Sequence, residues 1–153
     1  MVTFKDLQND LKVTIEDKVL NELNKSAMES YPNETGGFLV GQYTTNNHAH
    51  VSCLIQPAKK RCKPYSFERS TEGMKKIWDK LYEQGLIYLG EWHTHPNGTC
   101  NYSSTDLMAI RSIASCADVH ITRLLMLILS VNKTKIQQIC LYHLNKNQLI
   151  KFK

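Results

Sequence analysis

Residues 86–131 carry the strongest fold signal in this chain. This stretch begins with LIYLGEWHTH (86–95), passes through PNGTCNY (96–102) into SSTDLMAI (103–110), and ends with LLMLILSV (124–131). The first segment predicts a strand, the second a loop, and the third a helix that begins at Ser103 or Ser104. The run LLMLIL is apolar on both faces of a strand, so we expect it at the centre of a β-sheet.

The segments around this unit predict two further helices and four further strands. One helix runs from Thr14, as its N-cap, to about Glu29; the other is capped by Ser70 or Thr71 and ends at Gly85. The predicted strands are TGGFLVGQY (35–43), HAHVSCLIQ (48–56), 135–144 and 148–152, with TTNN (44–47) as a hairpin turn and PAKKRCKPYSFERS (57–70) as a loop. This order of elements predicts an α/β fold with a curled mixed β-sheet and helices packed on it.

Length and composition fit one globular domain that spans residues 1–153. Of the 153 residues, 42% are hydrophobic and 22% are charged, which excludes a disordered or collagen-like chain. No apolar run approaches the ~20 residues of a membrane span, and MVTFKDLQND (1–10) does not resemble a signal peptide. The five cysteines are odd in number and never form a CxxC pair. We therefore expect a cytoplasmic protein with unpaired thiols and no membrane partner.

The distribution of charge raises the question of nucleic-acid binding. From Val119 to the end the chain has 6 basic residues and no acidic residue, within a net charge of +5. These basic residues are spread singly among apolar ones, which is typical of solvated strand faces and edge strands. We therefore do not expect a nucleic-acid partner.

His93 and His95 form the first candidate functional feature. Residues two apart in a strand point to the same face, so the two imidazoles can converge on one ion at the C-terminal end of the strand. An isolated HxH pair is more often structural, so a metal site here would need a third ligand from elsewhere in the chain.

Asp106 supplies that partner on the predicted helix. The S-x-x-D spacing from Ser103 to Asp106 is typical of a capping box. It also places a carboxylate just across a short loop from the two histidines. Two imidazoles and one carboxylate leave a fourth position for water, as in catalytic zinc sites. The sequence has no HExxH motif, so the helix-borne arrangement of many zinc proteases is absent.

Glu34 is the third candidate residue. A carboxylate beside a metal can act as the general base that takes a proton from water and later gives it to the leaving amine. Gly36 and Gly37 follow, and their lack of side chains would allow a substrate to approach the backbone closely.

Taken together, ETGG (34–37), GEWHTHP (90–96) and S-x-x-D (103–106) resemble the JAMM signature of JAB/MPN-domain zinc isopeptidases. The family pattern is a distal Glu, then H-[ST]-H-P, then S-x-x-D after a fixed gap. This chain matches it in residue type, order and spacing, and the resemblance extends from the first helix to the final strands. It implies a JAB/MPN-like, cytidine-deaminase-like fold in which helices sandwich a curled mixed sheet.

The resemblance also implies a role for each matched residue. His93, His95 and Asp106 would bind one Zn²⁺ per chain, and Glu34 would be the general base and acid. Ser103 would donate a hydrogen bond to the oxyanion or to the activated water.

The implied substrate is a ubiquitin-like protein or its conjugate, cleaved after the C-terminal glycine of the modifier. The compact form is similar to stand-alone bacterial JAB proteins, including those of CBASS-type anti-phage operons, where the conjugated protein would be a defence enzyme. Three alternatives remain open: hydrolysis of a sulfur-carrier–amino-acid adduct, a non-catalytic MPN-type scaffold, and a DNA-associated JAB protein. The sequence does not distinguish precursor processing from deconjugation.

Overall fold

The computed structural model describes residues 1–57, 59–63, 66–70, 73–116, 119, 121 and 123–153. Within these ranges no helix is both long and apolar enough to cross a membrane. The elements, in chain order, are β1 (Val2–Asp6), β2 (Leu11–Ile15), α1 (Asp17–Ser30), β3 (Gly36–Thr45), β4 (His48–Ile55), β5 (Lys59–Lys63), β6 (Ser66–Ser70), α2 (Lys75–Glu83), β7 (Ile87–Pro96), α3 (Ser104–Ala114), β8 (Leu125–Val131), β9 (Ile136–Asn145) and β10 (Gln148–Lys151).

Eight of these strands form one mixed sheet in the order β1-β2-β4-β3-β7-β8-β9-β10, and β5 and β6 form a separate hairpin. The pairs β2–β4 and β7–β8 are parallel, and the other pairs of the sheet are antiparallel. The predicted α/β fold with a curled mixed sheet is confirmed.

Strand β8 lies inside the sheet, between β7 and β9, and all its residues are buried. Leu125, Leu127 and Leu129 face the core that contains the apolar residues of α1. Met126 and Ile128 face the other core, which contains Ile110 of α3. The expectation that LLMLIL occupies the sheet centre is therefore confirmed, and helices cover both faces.

The curl of the sheet brings its two edges together at one end. Lys5 of β1 and Lys153, just beyond β10, exchange backbone hydrogen bonds of 3.3 and 3.0 Å. Close by, Asp6 Oδ2 lies 2.8 Å from Nε2 of the buried His143 of β9. The Nδ1 atom of His143 has no hydrogen-bond partner among the described residues, so Asp6 is the group that offsets the burial of this ring.

The N-terminal hairpin β1–β2 is not among the predicted elements, and the prediction of Thr14 as a helix cap is wrong. Thr14 lies in β2, where its buried hydroxyl group contacts Thr3 and His48. Helix α1 begins three residues later, with Glu16 as an N-cap that makes no side-chain hydrogen bond. The strand signal is short and runs directly into the helix, so the two patterns merge in the sequence.

The prediction of a loop over residues 57–70 is also wrong, because β5 and β6 pair from Lys59–Ser70 to Lys63–Ser66. Ser70 lies in β6 and Thr71 lies outside the described residues, while Met74 is the N-cap of α2. At the other end of α2, the predicted role of Gly85 is confirmed. Gly85 has a φ of 76°, and the N–H groups of Gly85 and Leu86 bond to the carbonyls of Tyr82 and Leu81.

The expectation that all five cysteines are unpaired is wrong for two of them. A disulfide joins Cys100, in the loop after β7, to Cys140 of β9, with their Cα atoms 5.7 Å apart. Cys53, Cys62 and Cys116 have free thiols. Sequence spacing gives no signal for such a pair, because the sheet brings the two residues together from 40 positions apart.

We expect the Asp6–His143 contact to make the fold acid-sensitive. Burial alone would raise the pKa of Asp6, but hydrogen bonds from His143, Asn9 and the backbone outweigh it and lower the pKa to about 2, from 3.8. Because its pKa is lowered in the folded state, ionised Asp6 stabilises the fold at pH values above its ordinary pKa of 3.8. This contribution to the free energy of unfolding is lost as the pH falls through about 2. In urea titrations across that range, the unfolding free energy should fall less steeply for Asp6→Asn than for wild type. The exposed-carboxylate control Asp79→Asn should follow wild type, and superimposable curves for all three proteins would contradict the assignment.

Candidate metal centre

His93 and His95 lie at the C-terminal end of β7, on the face of the sheet covered by α3. They pair with Ile128 and Ser130 of β8, whereas Trp92 pairs with Leu127 and is buried on the opposite face. The Nε2 atoms of the two histidines are 3.0 Å apart. The predicted convergence of the imidazoles is confirmed.

Asp106 reaches the two histidines from the first turn of α3. Its Oδ1 lies 3.2 Å from His93 Nε2, and its Oδ2 lies 3.3 Å from His95 Nε2. The capping box is also present: Ser103 Oγ accepts the Asp106 N–H at 3.0 Å, and Asp106 Oδ2 accepts the Ser103 N–H at 2.8 Å. The capping function and the contact with the histidines therefore coexist in one carboxylate.

The geometry of this triad fits a metal ion. The ligand atoms of His93, His95 and Asp106 all lie within 4.8 Å of one another, and the three side chains are partly buried. Around a four-coordinate ion with bonds of ~2.0–2.1 Å, as for zinc, two ligand atoms lie roughly 3.3 Å apart. The two Nε2 atoms are 3.0 Å apart, and each lies 3.2–3.3 Å from its nearer Asp106 oxygen, Oδ1 for His93 and Oδ2 for His95, so the contacts are close to that spacing.

The electrostatics of the triad keep Asp106 in the ionised form that a metal ligand requires. Burial opposes its ionisation, but hydrogen bonds from His93, His95 and the Ser103 backbone hold its pKa far below the usual range. For His95, burial lowers the pKa, but the bonds to Asp106 and Thr99 and the charge of Glu34 raise it overall. Asp106 and His95 thus stabilise each other's charged forms.

The orientation of the His95 ring is set by its second nitrogen. His95 Nδ1 donates to the carbonyl oxygen of Thr99 at 2.8 Å, which leaves Nε2 directed at Asp106. A hydrogen bond of this kind at the non-ligating nitrogen is a usual feature of metal-binding histidines.

Glu34 lies on the loop between α1 and β3, close enough to His95 and Asp106 for their charges to affect it. Burial raises its pKa to about 7, with His95 lowering it and Asp106 raising it further.

The backbone of the loop that carries Glu34 is hydrogen-bonded to the strands on both of its sides. The Glu34 N–H donates to the Lys63 carbonyl of β5 at 2.6 Å. Thr35 and Thr94 exchange bonds of 3.0 Å (Thr35 N–H to Thr94 Oγ1) and 2.9 Å (Thr94 N–H to Thr35 O).

Thr94 holds the loop that carries Glu34 and is absent from the residues predicted from the sequence. It lies between the two histidines and points to the other face of β7, where it is 1% exposed. Strict alternation would place an apolar side chain at such a buried position. A threonine at this position therefore indicates that its hydroxyl group has a specific hydrogen-bond partner. In the structure that partner is the N–H group of Thr35.

Gly36 and Gly37 are buried in β3, where they pair with His93 and Trp92. A Cβ atom at Gly37 would lie 3.0 Å from both the Ile55 carbonyl oxygen and Trp92 Nε1. A side chain at position 37 would therefore require these two neighbours to shift by a few tenths of an ångström. The contact of these glycines with a substrate remains a prediction.

Ser103 is exposed beside the triad. Because its Oγ accepts the Asp106 N–H, the hydroxyl hydrogen stays available for another acceptor. The cap therefore leaves room for the predicted donor role.

Comparison with known proteins agrees with this combination of fold and site. The family described as prokaryotic homologs of the JAB domain matches residues 16–141. The chain belongs to this family, which includes the JAMM metalloproteases, and the predicted family and enzyme class are confirmed.

Two curated relatives support the same class. The chain is 28% identical over 130 residues to the CD-NTase/cGAS isopeptidase of Enterobacter hormaechei subsp. hoffmannii (strain UCI 50), covering 84% of this chain and 72% of the relative. It is 28% identical over 122 residues to the probable metalloprotease y4qB of Sinorhizobium fredii (strain NBRC 101917 / NGR234), covering 76% and 74%.

Solved structures support the fold. The solution structure of protein DSY2949 from Desulfitobacterium hafniense has a TM-score of 0.67 at 18% identity, and covers 91% of this chain and 88% of that one. The solution structure of a protein from Salinibacter ruber (strain DSM 13855) has a TM-score of 0.60 at 22% identity, covering 92% and 86%.

We expect loss of one imidazole to abolish tight metal binding. Purified wild-type protein supplied with zinc should hold about one ion per chain, whereas His95→Ala should bind more than about 100-fold more weakly, since a ligand is worth more than an outer-shell contact. Metal content and chelator competition measure this, with His48→Ala as the control for a histidine elsewhere. Equal zinc binding by wild type and His95→Ala would refute the site.

We expect Thr94→Val to separate metal binding from hydrolysis. The substitution preserves side-chain shape but removes the hydroxyl that holds Thr35, so Glu34 should shift relative to the triad. A misplacement of this kind can cost on the order of 100-fold in rate. Zinc affinity should stay near wild type while kcat falls, and the buried-hydroxyl control Thr14→Val should retain activity. Unchanged kcat in Thr94→Val would show that Glu34 does not depend on this contact.

Proposed function

We propose that this chain is a zinc-dependent isopeptidase that cleaves after the C-terminal glycine of a ubiquitin-like modifier, in a conjugate or a precursor. The observation that carries the proposal is the convergence of His93, His95 and Asp106 beside Glu34, a carboxylate whose pKa is raised to about 7. Membership of the JAB family and relatives named isopeptidase and probable metalloprotease support the same reaction class.

In this proposal His93, His95 and Asp106 hold one zinc ion per chain. When bound, zinc would lower the pKa of water to ~7 and polarise the scissile carbonyl group. Proton transfer and stabilisation of the oxyanion are carried out by side chains of this chain.

Glu34 acts as the general base and then as the general acid. Its carboxylate takes a proton from the attacking water as the water oxygen bonds to the carbonyl carbon. It then gives that proton to the nitrogen of the leaving amine as the C–N bond breaks. In the metal-free site burial raises the pKa of Glu34 to about 7, and a bound cation would offset part of that rise. A carboxylate that is more basic than an exposed one is a better acceptor for the proton of the attacking water.

Ser103 donates its hydroxyl hydrogen to the oxygen that gains negative charge. Its Oγ is fixed by the Asp106 N–H, so the donor is in place before the reaction begins. A preorganised donor of this kind contributes ~3 kcal/mol to transition-state stabilisation.

The identity of the conjugate follows by analogy with the relative named CD-NTase/cGAS isopeptidase. We assign the chain a substrate in which a ubiquitin-like modifier is joined to a nucleotidyltransferase of that type, and hence a role in bacterial antiviral defence.

The test is Glu34→Gln, which keeps the size of the side chain and removes its basicity. Loss of a general base costs about 10²–10⁴-fold in kcat, so cleavage of a modifier–nucleotidyltransferase conjugate should nearly disappear. Zinc content should remain at the wild-type level. The matched control is Glu29→Gln, an exposed carboxylate on α1 that should retain full activity.

Other outcomes would select the alternatives. Full cleavage by Glu34→Gln would remove Glu34 from the mechanism. Release of an amino acid from a sulfur-carrier adduct, without cleavage of any protein conjugate, would favour the sulfur-carrier hydrolase. Binding of the conjugate without cleavage by the zinc-loaded wild type would favour a scaffold.

A further inference from the structure

Ser130 is the one polar residue in the otherwise apolar strand β8, LMLILSV. It is 4% exposed, and its Oγ donates to the carbonyl oxygen of Gly98 at 2.5 Å. Burying a hydroxyl among apolar side chains is unfavourable unless it has a partner. That partner is the loop that follows His95.

A second buried hydroxyl holds the same loop from the neighbouring strand. Tyr142 of β9 is 3% exposed, and its hydroxyl donates to the carbonyl oxygen of Cys100 at 2.9 Å. Ser130 and Tyr142 therefore hold Gly98 and Cys100, the two residues on either side of Thr99.

Thr99 is the residue whose carbonyl oxygen accepts the Nδ1–H of His95 at 2.8 Å. In the β7–β8 ladder His95 also pairs directly with Ser130, so the hydroxyl lies on the same face as the imidazole. The next residue along β8, Val131, accepts the N–H of Asn97 at 2.7 Å. The loop from Asn97 to Cys100 is thus bonded to the sheet at each end, and the Cys100–Cys140 disulfide adds a covalent link to β9.

We infer that Ser130 and Tyr142 are positioning residues for the metal ligand His95, acting through the Thr99 carbonyl. The inference rests on the proposed metal-binding function of the triad. Among the described residues neither hydroxyl makes a hydrogen bond to the imidazole. They fix the acceptor that sets the rotation of the ring, so Nε2 is directed at the metal position before any ion arrives. Because the His95 ring is already oriented, it loses less conformational entropy when the metal binds.

The test compares Ser130→Ala, Tyr142→Phe and the double variant with wild type in the full-length chain. Loss of an outer-shell contact costs 10–100-fold in metal affinity, so each single variant should bind zinc about tenfold more weakly. Chelator competition measures the zinc affinity. In the metal-free protein, ¹⁵N–¹H NMR should show a weakened hydrogen bond at His95 Nδ1. Thr14→Val, which loses a buried hydroxyl far from the loop, controls for general destabilisation and should match wild type in both measurements.

Ser130→Thr keeps the hydroxyl and should restore most of the zinc affinity. Wild-type affinity and an unchanged His95 signal in both Ser130→Ala and Tyr142→Phe would overturn the inference. So would failure of Ser130→Thr to restore affinity while its melting temperature equals that of wild type. If the wild type itself binds no zinc, the proposed function fails, and the NMR signal of the metal-free protein still decides whether the two hydroxyls orient His95.

Discussion

The parallel pairing of β7 with β8 is the constraint on which the rest of the structure depends. Two parallel neighbours need a crossover between them, and α3 lies in that crossover. A strand as apolar as β8 must be covered on both faces, so the crossover helix has to pack against the sheet. Its first turn then lies beside the C-terminal end of β7, where a carboxylate on α3 meets two imidazoles on the strand. The convergence of these three side chains is a result of burying β8.

Glu34 comes to this centre from a different part of the sheet. It precedes β3, the strand on the other side of β7, and the link between the two is the Thr35–Thr94 contact within the β3–β7 region. The Thr35–Thr94 contact therefore links the loop that carries Glu34 to the strand that carries His93 and His95. The strand β5 adds a second support through the Lys63 carbonyl.

The sequence predicts the convergence of His93, His95 and Asp106 because the geometry of these residues is local. Alternation along β7 and the first turn of α3 determine where His93, His95 and Asp106 point, and a capping motif marks the start of the helix. The β1–β2 and β5–β6 hairpins and the Cys100–Cys140 disulfide are not predicted. They depend on which distant strands come together, and short strands rich in lysine or joined directly to a helix carry little periodic signal. Ser130 shows the same limit, since its partner is a backbone carbonyl that only the folded loop presents.

The site is assembled from two separate parts of the chain, the β7–α3 segment and the loop before β3, which can form at different stages of folding. All three ligands come from the segment between β7 and the start of α3, whereas Glu34 joins only when β3 pairs with β7. A chain in which the β7–α3–β8 unit alone has formed would already present the ligands, yet would lack the base. Under the proposed function, ion uptake would report on the folding of one unit, while peptide-bond cleavage would report on the joining of two. During synthesis β3 leaves the ribosome before β7, so cleavage would have to wait until the later strand has paired with the earlier one.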